Sequence, residues 1–135
     1  MTMVEVAVAM IIAGIAIGGI VTGYVYCTTS AEKASLQLVA NARAMERIEE
    51  TRSAKWDTAS FPPVDILVAT NFPSKSVILD LTGSGVGVIN ATLNTAITQI
   101  SANPPLKRIR VDCIWAFKGA ETITNTIETC RAPDQ

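Results

Sequence analysis

The apolar positions of the chain fall into three successive patterns. Residues 6–31 carry no charge and are mostly apolar on every side of a helix drawn through them. Such a helix spans roughly 39 Å, more than the ~30 Å hydrocarbon layer of a bilayer. Residues 31–56 keep helical register but become amphipathic. Ala31, Ala34, Leu38, Ala42, Met45 and Ile48 recur at spacings of three and four, which predicts an apolar stripe that seats a folded domain. The opposite face is assigned Lys33, Arg43, Glu46, Arg47, Glu50 and Arg52. The absence of Pro and Gly between Ser30 and Ser60 favours one continuous helix over about 2–55. Trp56 and Asp57 end it, and Phe61-Pro62-Pro63 breaks it.

Past Pro73 the period changes to two. Strands are predicted over 76–81, 88–100, 106–117 and 122–130, after a turn or helical stub at 64–72. Segment 106–117 is the clearest: Ile109, Val111, Cys113, Trp115 and Phe117 alternate with Arg108, Arg110 and Asp112. Ile89, Ala91, Leu93 and Ile97 share one side of 88–100. The glycine-rich 82–87, Asn103-Pro104-Pro105 and 118–121 supply the turns. A sheet of three or four strands needs a cover for its apolar face, and the amphipathic helix supplies one. The expected fold is therefore α+β. It has an apolar helix at 1–30, its amphipathic continuation at 31–56 and a small antiparallel sheet domain at 57–135.

Composition narrows the chemistry. Net charge is −1 and aromatic content 5%, which argues against a nucleic-acid partner, since that surface needs basic stripes and stacking rings. There is no histidine, so His-based acid–base, triad and zinc-ligand chemistry is absent. Cys27, Cys113 and Cys130 are too few and scattered for a metal site. No catalytic constellation and no cofactor motif is found. Asp80 to Gly85 lacks the carboxylates of a calcium loop, and Gly83-x-Gly85-x-Gly87 has no following helix or Lys, so both read as a turn. Asn90-Ala91-Thr92 matches a glycosylation sequon by spacing alone.

One charge is out of place. Glu5 precedes a charge-free stretch with no Lys or Arg near it in its own helix. A carboxylate in the membrane centre costs about 2.5–3.5 kcal/mol on insertion scales, and less near the interface. It is either a headgroup flank or a buried group awaiting a cation, and the nearest cation is an α-amine at Met1, its own or a neighbour's. Gly14, Gly18, Gly19 and Gly23 form two small-x-x-x-small pairs, which let helices approach closely. Tyr24 and Tyr26 sit where an interfacial aromatic belt would be.

Met1-Thr2-Met3-Val4-Glu5-Val6 followed by a long apolar helix resembles the mature N-terminus of type IV pilins and type II secretion pseudopilins. The likeness covers about the first 55 residues. Met1 departs from the usual Phe, and no proline occurs before Pro62 where many pilins have one. The resemblance implies a basic leader ahead of Met1, removed by a prepilin peptidase that methylates the new amine. It implies a subunit held in the inner membrane, then assembled by pilus machinery into an extracellular helical homopolymer, with Glu5 pairing to a neighbour's amine. Pseudopilin and single-pass membrane protein remain the alternatives. It also implies a disulfide near the C-terminus, for which Cys113 and Cys130 are the candidates. A regular hairpin would put these two on opposite faces, so the bridge requires a bulge.

Overall fold

In a computed structural model of the chain, residues 2–80, 88–117 and 121–134 are described. They form an α+β fold with a pilin-like layout: one long apolar N-terminal helix, α1 (Met3–Ser53), followed by antiparallel strands. The strands are β1 (Trp56–Asp57), β2 (Val64–Asp65), β3 (Lys75–Ile78), β4 (Asn90–Ala102), β5 (Pro105–Phe117) and β6 (Glu121–Arg131). By its internal contacts the chain divides into two units, Met1–Ser35 and Leu36–Gln135.

The first unit is helical. No described side chain in it is buried, and large apolar residues such as Ile11, Ile12, Ile15, Ile17, Ile20 and Val21 are exposed all round it. A helix apolar on every side needs lipid or other helices around it. Three threonine hydroxyls bond back to carbonyls of the preceding turn. Thr22 donates to the Gly18 carbonyl at 2.8 Å, Thr28 to that of Val25 at 2.9 Å and Thr29 to that of Val25 at 2.9 Å. Such back-bonding removes the need for water that a bilayer would not supply. By length and composition α1 can cross a membrane.

The second unit holds the core. Strands β3-β4-β5-β6 form an antiparallel meander, and β1 and β2 form a separate two-stranded ribbon. Alternation decides the faces: Ile109, Val111, Cys113 and Trp115 of β5 are buried, while Arg108 and Arg110 point outward. Ala91 and Leu93 of β4 join them, and Ile123 and Ile127 of β6 pack at the margin. The β5–β6 register is unbroken from Lys107↔Arg131 to Phe117↔Glu121, and the β4–β5 register shifts once, between Gln99 and Ser101.

Three details differ from expectation. The helix stops at Ser53, and Trp56–Asp57 is a strand rather than a helix end. The segment after Pro63 resolves into β2 and a 3₁₀ turn at Ala69–Asn71. The larger correction concerns the helix stripe. The buried residues of α1 are Leu36, Ala40, Ala44, Arg47, Ile48 and Thr51, whereas Leu38 is 72% and Met45 46% exposed. Of the predicted row only Ile48 is buried. At about 100° per residue the buried face lies roughly 130° round the helix from the predicted one. The physical reason is steric. The sheet brings the bulk, with Trp115, Leu93, Ile109 and Val111, and the facing helix row is thin at its middle, where Ala40 and Ala44 stand between Leu36 and Ile48. Ala40 and Ala44, both 0% exposed, let the two layers close. The turn expected at 82–87 and residues 118–120 of the turn expected at 118–121 lie outside the described residues, and Glu121 begins β6.

Candidate functional site

Glu5 sits in the first turn of α1, where a negative charge is favoured by the helix dipole. Thr2 immediately precedes the helix. Its amide donates to Glu5 Oε2 at 2.9 Å and its hydroxyl approaches the same oxygen at 3.4 Å. The Glu5 amide in turn donates to the Thr2 carbonyl at 3.0 Å. Thr2-x-x-Glu5 thus forms the carboxylate half of a capping box, in which the Glu5 side chain satisfies an otherwise orphaned amide while the Thr2 hydroxyl turns to the same carboxylate. The motif is legible in the sequence and gives Glu5 a local role that the membrane-flank and ion-pair readings both omit. A carboxylate has about four acceptor positions, and the cap as described draws on one oxygen. Met1 lies outside the described residues.

The surface beside Glu5 is thin and apolar. A shallow groove there is lined by Val6, Ala9, Met10 and Ala13 together with Glu5 itself. None of Gly14, Gly18, Gly19 and Gly23 has a neighbour within 4 Å of where a Cβ would stand. Among the described residues nothing therefore requires glycine at these places. By the helical repeat, the Gly14/Gly18 pair and the Gly19/Gly23 pair point roughly 140° apart.

In the second unit the charged side chains serve the fold. Arg47 is 8% exposed. Its Nε donates to Thr95 Oγ1 at 3.1 Å, one terminal nitrogen donates to the Pro73 carbonyl at 2.7 Å, and the other pairs with Glu50. Its guanidinium lies over the Phe72 ring at 5.3 Å. This single side chain ties α1 to β4 and to the loop before β3. Lys107 does the same for β2: its Nζ bonds both oxygens of Asp65 at 2.7 and 2.6 Å and the Leu67 carbonyl at 2.7 Å, over the Trp56 ring. Arg131 donates to the carbonyls of Thr51 and Ala54 at 2.9 and 2.7 Å, closing the C-terminal end of α1 with a cation. Asp134 steadies it at 2.7 Å and also accepts the Trp56 amide, and that amide holds the Asp134 carboxyl below its ordinary range.

Glu46, Glu49 and Glu50 of α1 form ion pairs at i,i+3. Arg43 pairs with Glu46 at 2.8 Å, Arg52 with Glu49 at 2.8 Å, and Arg47 with Glu50, which Lys75 also approaches at 3.4 Å. No grouping of His, Cys, Asp or Glu that could hold a metal occurs among the described residues.

The Cys113–Cys130 bridge does not form, and Cys27, Cys113 and Cys130 are free. Cys113 is opposite Asn125 and Cys130 opposite Arg108, so they are five positions apart along an unshifted ladder and on opposite faces. At about 3.4 Å per residue the separation along the strand is roughly 17 Å, against the less than 7 Å a disulfide needs. Comparison of the chain with protein-family models, with curated proteins and with solved structures found no match.

Proposed function

We propose that this chain is the structural subunit of a pilus-like extracellular filament that polymerises through its N-terminal helix. The observation that carries the reading is the carboxylate of Glu5, set in the first turn of a helix that is apolar on every side. In a bundle of such helices Glu5 needs a cation. A neighbouring copy offers its N-terminal ammonium, next to a surface whose alanines permit close approach. The two glycine pairs support the same reading. No described residue of the chain packs against them, and a closed two-helix dimer would use one face, whereas these two faces suit two different neighbours. A patch meeting a different patch on the next copy extends into a polymer rather than closing. The subunit would wait in the inner membrane, anchored by α1, after removal of a leader by a prepilin peptidase.

The capping box dictates the choice of variant. Glu5→Gln keeps a side chain able to cap but removes the charge. Removing one partner of a buried ion pair costs about 3–5 kcal/mol, so polymer recovery should fall more than about a hundredfold. Helix content and membrane insertion should remain at wild-type levels. Sheared surface material is quantified for both chains, with intact-mass analysis of the wild type. A methylated chain beginning at Met1 in sheared fibres is the expected result. Undiminished fibre from Glu5→Gln would refute the role given to Glu5. A wild-type chain found only in membranes would favour a single-pass anchored protein.

A further inference from the structure

Phe61 is fully exposed at the connection between β1 and β2, with Pro62 and Pro63 exposed beside it. The connection is ordered from within. Asp57 Oδ1 accepts the amides of Ala59 and Ser60 at 2.9 and 3.0 Å, and the Ser60 hydroxyl donates to the Pro62 carbonyl at 3.1 Å. The two prolines fix φ along the next two residues. A ring displayed on a pre-ordered loop sacrifices little entropy when it is buried, as in rigid aromatic anchors of binding surfaces.

The same unit carries a complementary surface. Leu38 and Ala42, of the helix row predicted to face the sheet, face away from it instead and, with Arg43 and Glu46 of the polar face and Val39 at the margin of the core, line a shallow groove of about 410 Å³. Leu38 and Val39 give it apolar walls and Ala42 a low floor. Arg43, held by Glu46 at 2.8 Å, stands at its edge with a guanidinium able to stack on an aromatic face.

We infer that Phe61 of one copy seats in the Leu38–Ala42 groove of the next, as a repeated lateral contact between the sheet-bearing units of a polymer. This rests on the filament reading above. Knob and groove are different patches of one chain, so their union propagates instead of closing. The size of the contact selects the occupant. A phenylalanine buries roughly 150–250 Å², so both sides together give about 300–500 Å², well under the ~1,200 Å² of a stable interface. It could not hold a separate protein by itself. It suits a copy already held alongside by helix packing.

The test places the photo-crosslinking amino acid p-benzoylphenylalanine at position 61 of the full chain. After irradiation of sheared fibres, crosslinked peptides are identified by mass spectrometry. The expected product joins position 61 to residues 34–47 of a second copy. Polymer that crosslinks elsewhere on the chain, to lipid, to another protein or not at all overturns this contact and leaves the filament reading standing. Failure of the wild-type chain to polymerise overturns both. Phe61→Ala supplies the second measurement. The exposed ring supports nothing in its own subunit, so the thermal midpoint of the dispersed chain should not move, while subunit association in the fibre should loosen roughly tenfold or more. Fibres of unaltered resistance to dissociation would overturn the inference.

Discussion

Replacing Arg47 by alanine tests the account of how α1 and the sheet are held together. The side chain is almost fully buried and meets four groups on three segments: Glu50 of α1, Thr95 of β4, and the Pro73 carbonyl and Phe72 ring of the loop before β3. A hydrogen bond from a charged donor to a buried acceptor contributes about 1.5–3 kcal/mol. The stacking on Phe72 adds about 0.5–2 kcal/mol. The Glu50 pair is discounted, because that side chain is 36% exposed and water screens it to at most about 1 kcal/mol. These terms are not additive, and the loss should be about 3 kcal/mol, roughly one charged hydrogen bond together with the stacking on Phe72. For a unit of this size that lowers the midpoint by roughly 12–24 °C. Trp56 and Trp115 are 3% and 2% exposed, so their fluorescence follows unfolding of the full chain in detergent micelles. Arg43→Ala is the control, since its pair with Glu46 is exposed and contributes about 0.5 kcal/mol or less. If Arg47→Ala costs no more than Arg43→Ala, the clamp is not what holds the helix to the sheet.

The remaining predictions use the same unfolding signal or simple chemistry. The Glu50 carboxyl is held below its ordinary range, first by the Arg47 hydrogen bond and then by Lys75; a depressed acid stabilises above its unfolded value, near 4.5, and loses that contribution as pH falls through its folded value. Wild-type stability should therefore fall more steeply below about pH 4.5 than that of Arg47→Met, and parallel curves would contradict the assignment. Ala44→Leu should cost about 1–3 kcal/mol by overpacking, whereas Ala42→Leu, on the exposed row, should leave the midpoint within about 0.5 kcal/mol; equal effects would return the seat of the domain to the Leu38 row. Cys130 should be alkylated within minutes by iodoacetamide while Cys113, buried with its thiol pushed up by desolvation, should react only on unfolding. Equal labelling of the two, or a non-reduced mass two hydrogens lighter, would contradict the ladder.

What sequence could and could not reveal follows from which forces are local. The long helix and the central strand are legible because each repeats an apolar period over many residues, and β5 matches its predicted alternation position by position. The helix face was not legible, because hydrophobicity ranks Leu38 and Met45 above Ala40 and Ala44 whereas the sheet selected for thinness. Arg47, Lys107 and Arg131 were illegible for a related reason. A cation reads as surface until its acceptors are known, and these lie 26 residues away at Pro73, 40 at Leu67 and 80 at Thr51. Arg47 and Lys107 are buried, and Arg131 half-buried, where a carbonyl distant in sequence meets each. The Thr2-x-x-Glu5 cap, by contrast, is wholly local and was open to reading. In the proposed assembly it changes what Glu5 would have to do: a carboxylate already fixed over the first turn is aimed before a partner arrives, so a neighbour's ammonium would meet an ordered acceptor instead of a mobile one. The cap then counts as preorganisation for the proposed pair, and Glu5→Gln separates the two because it leaves the cap and removes the charge.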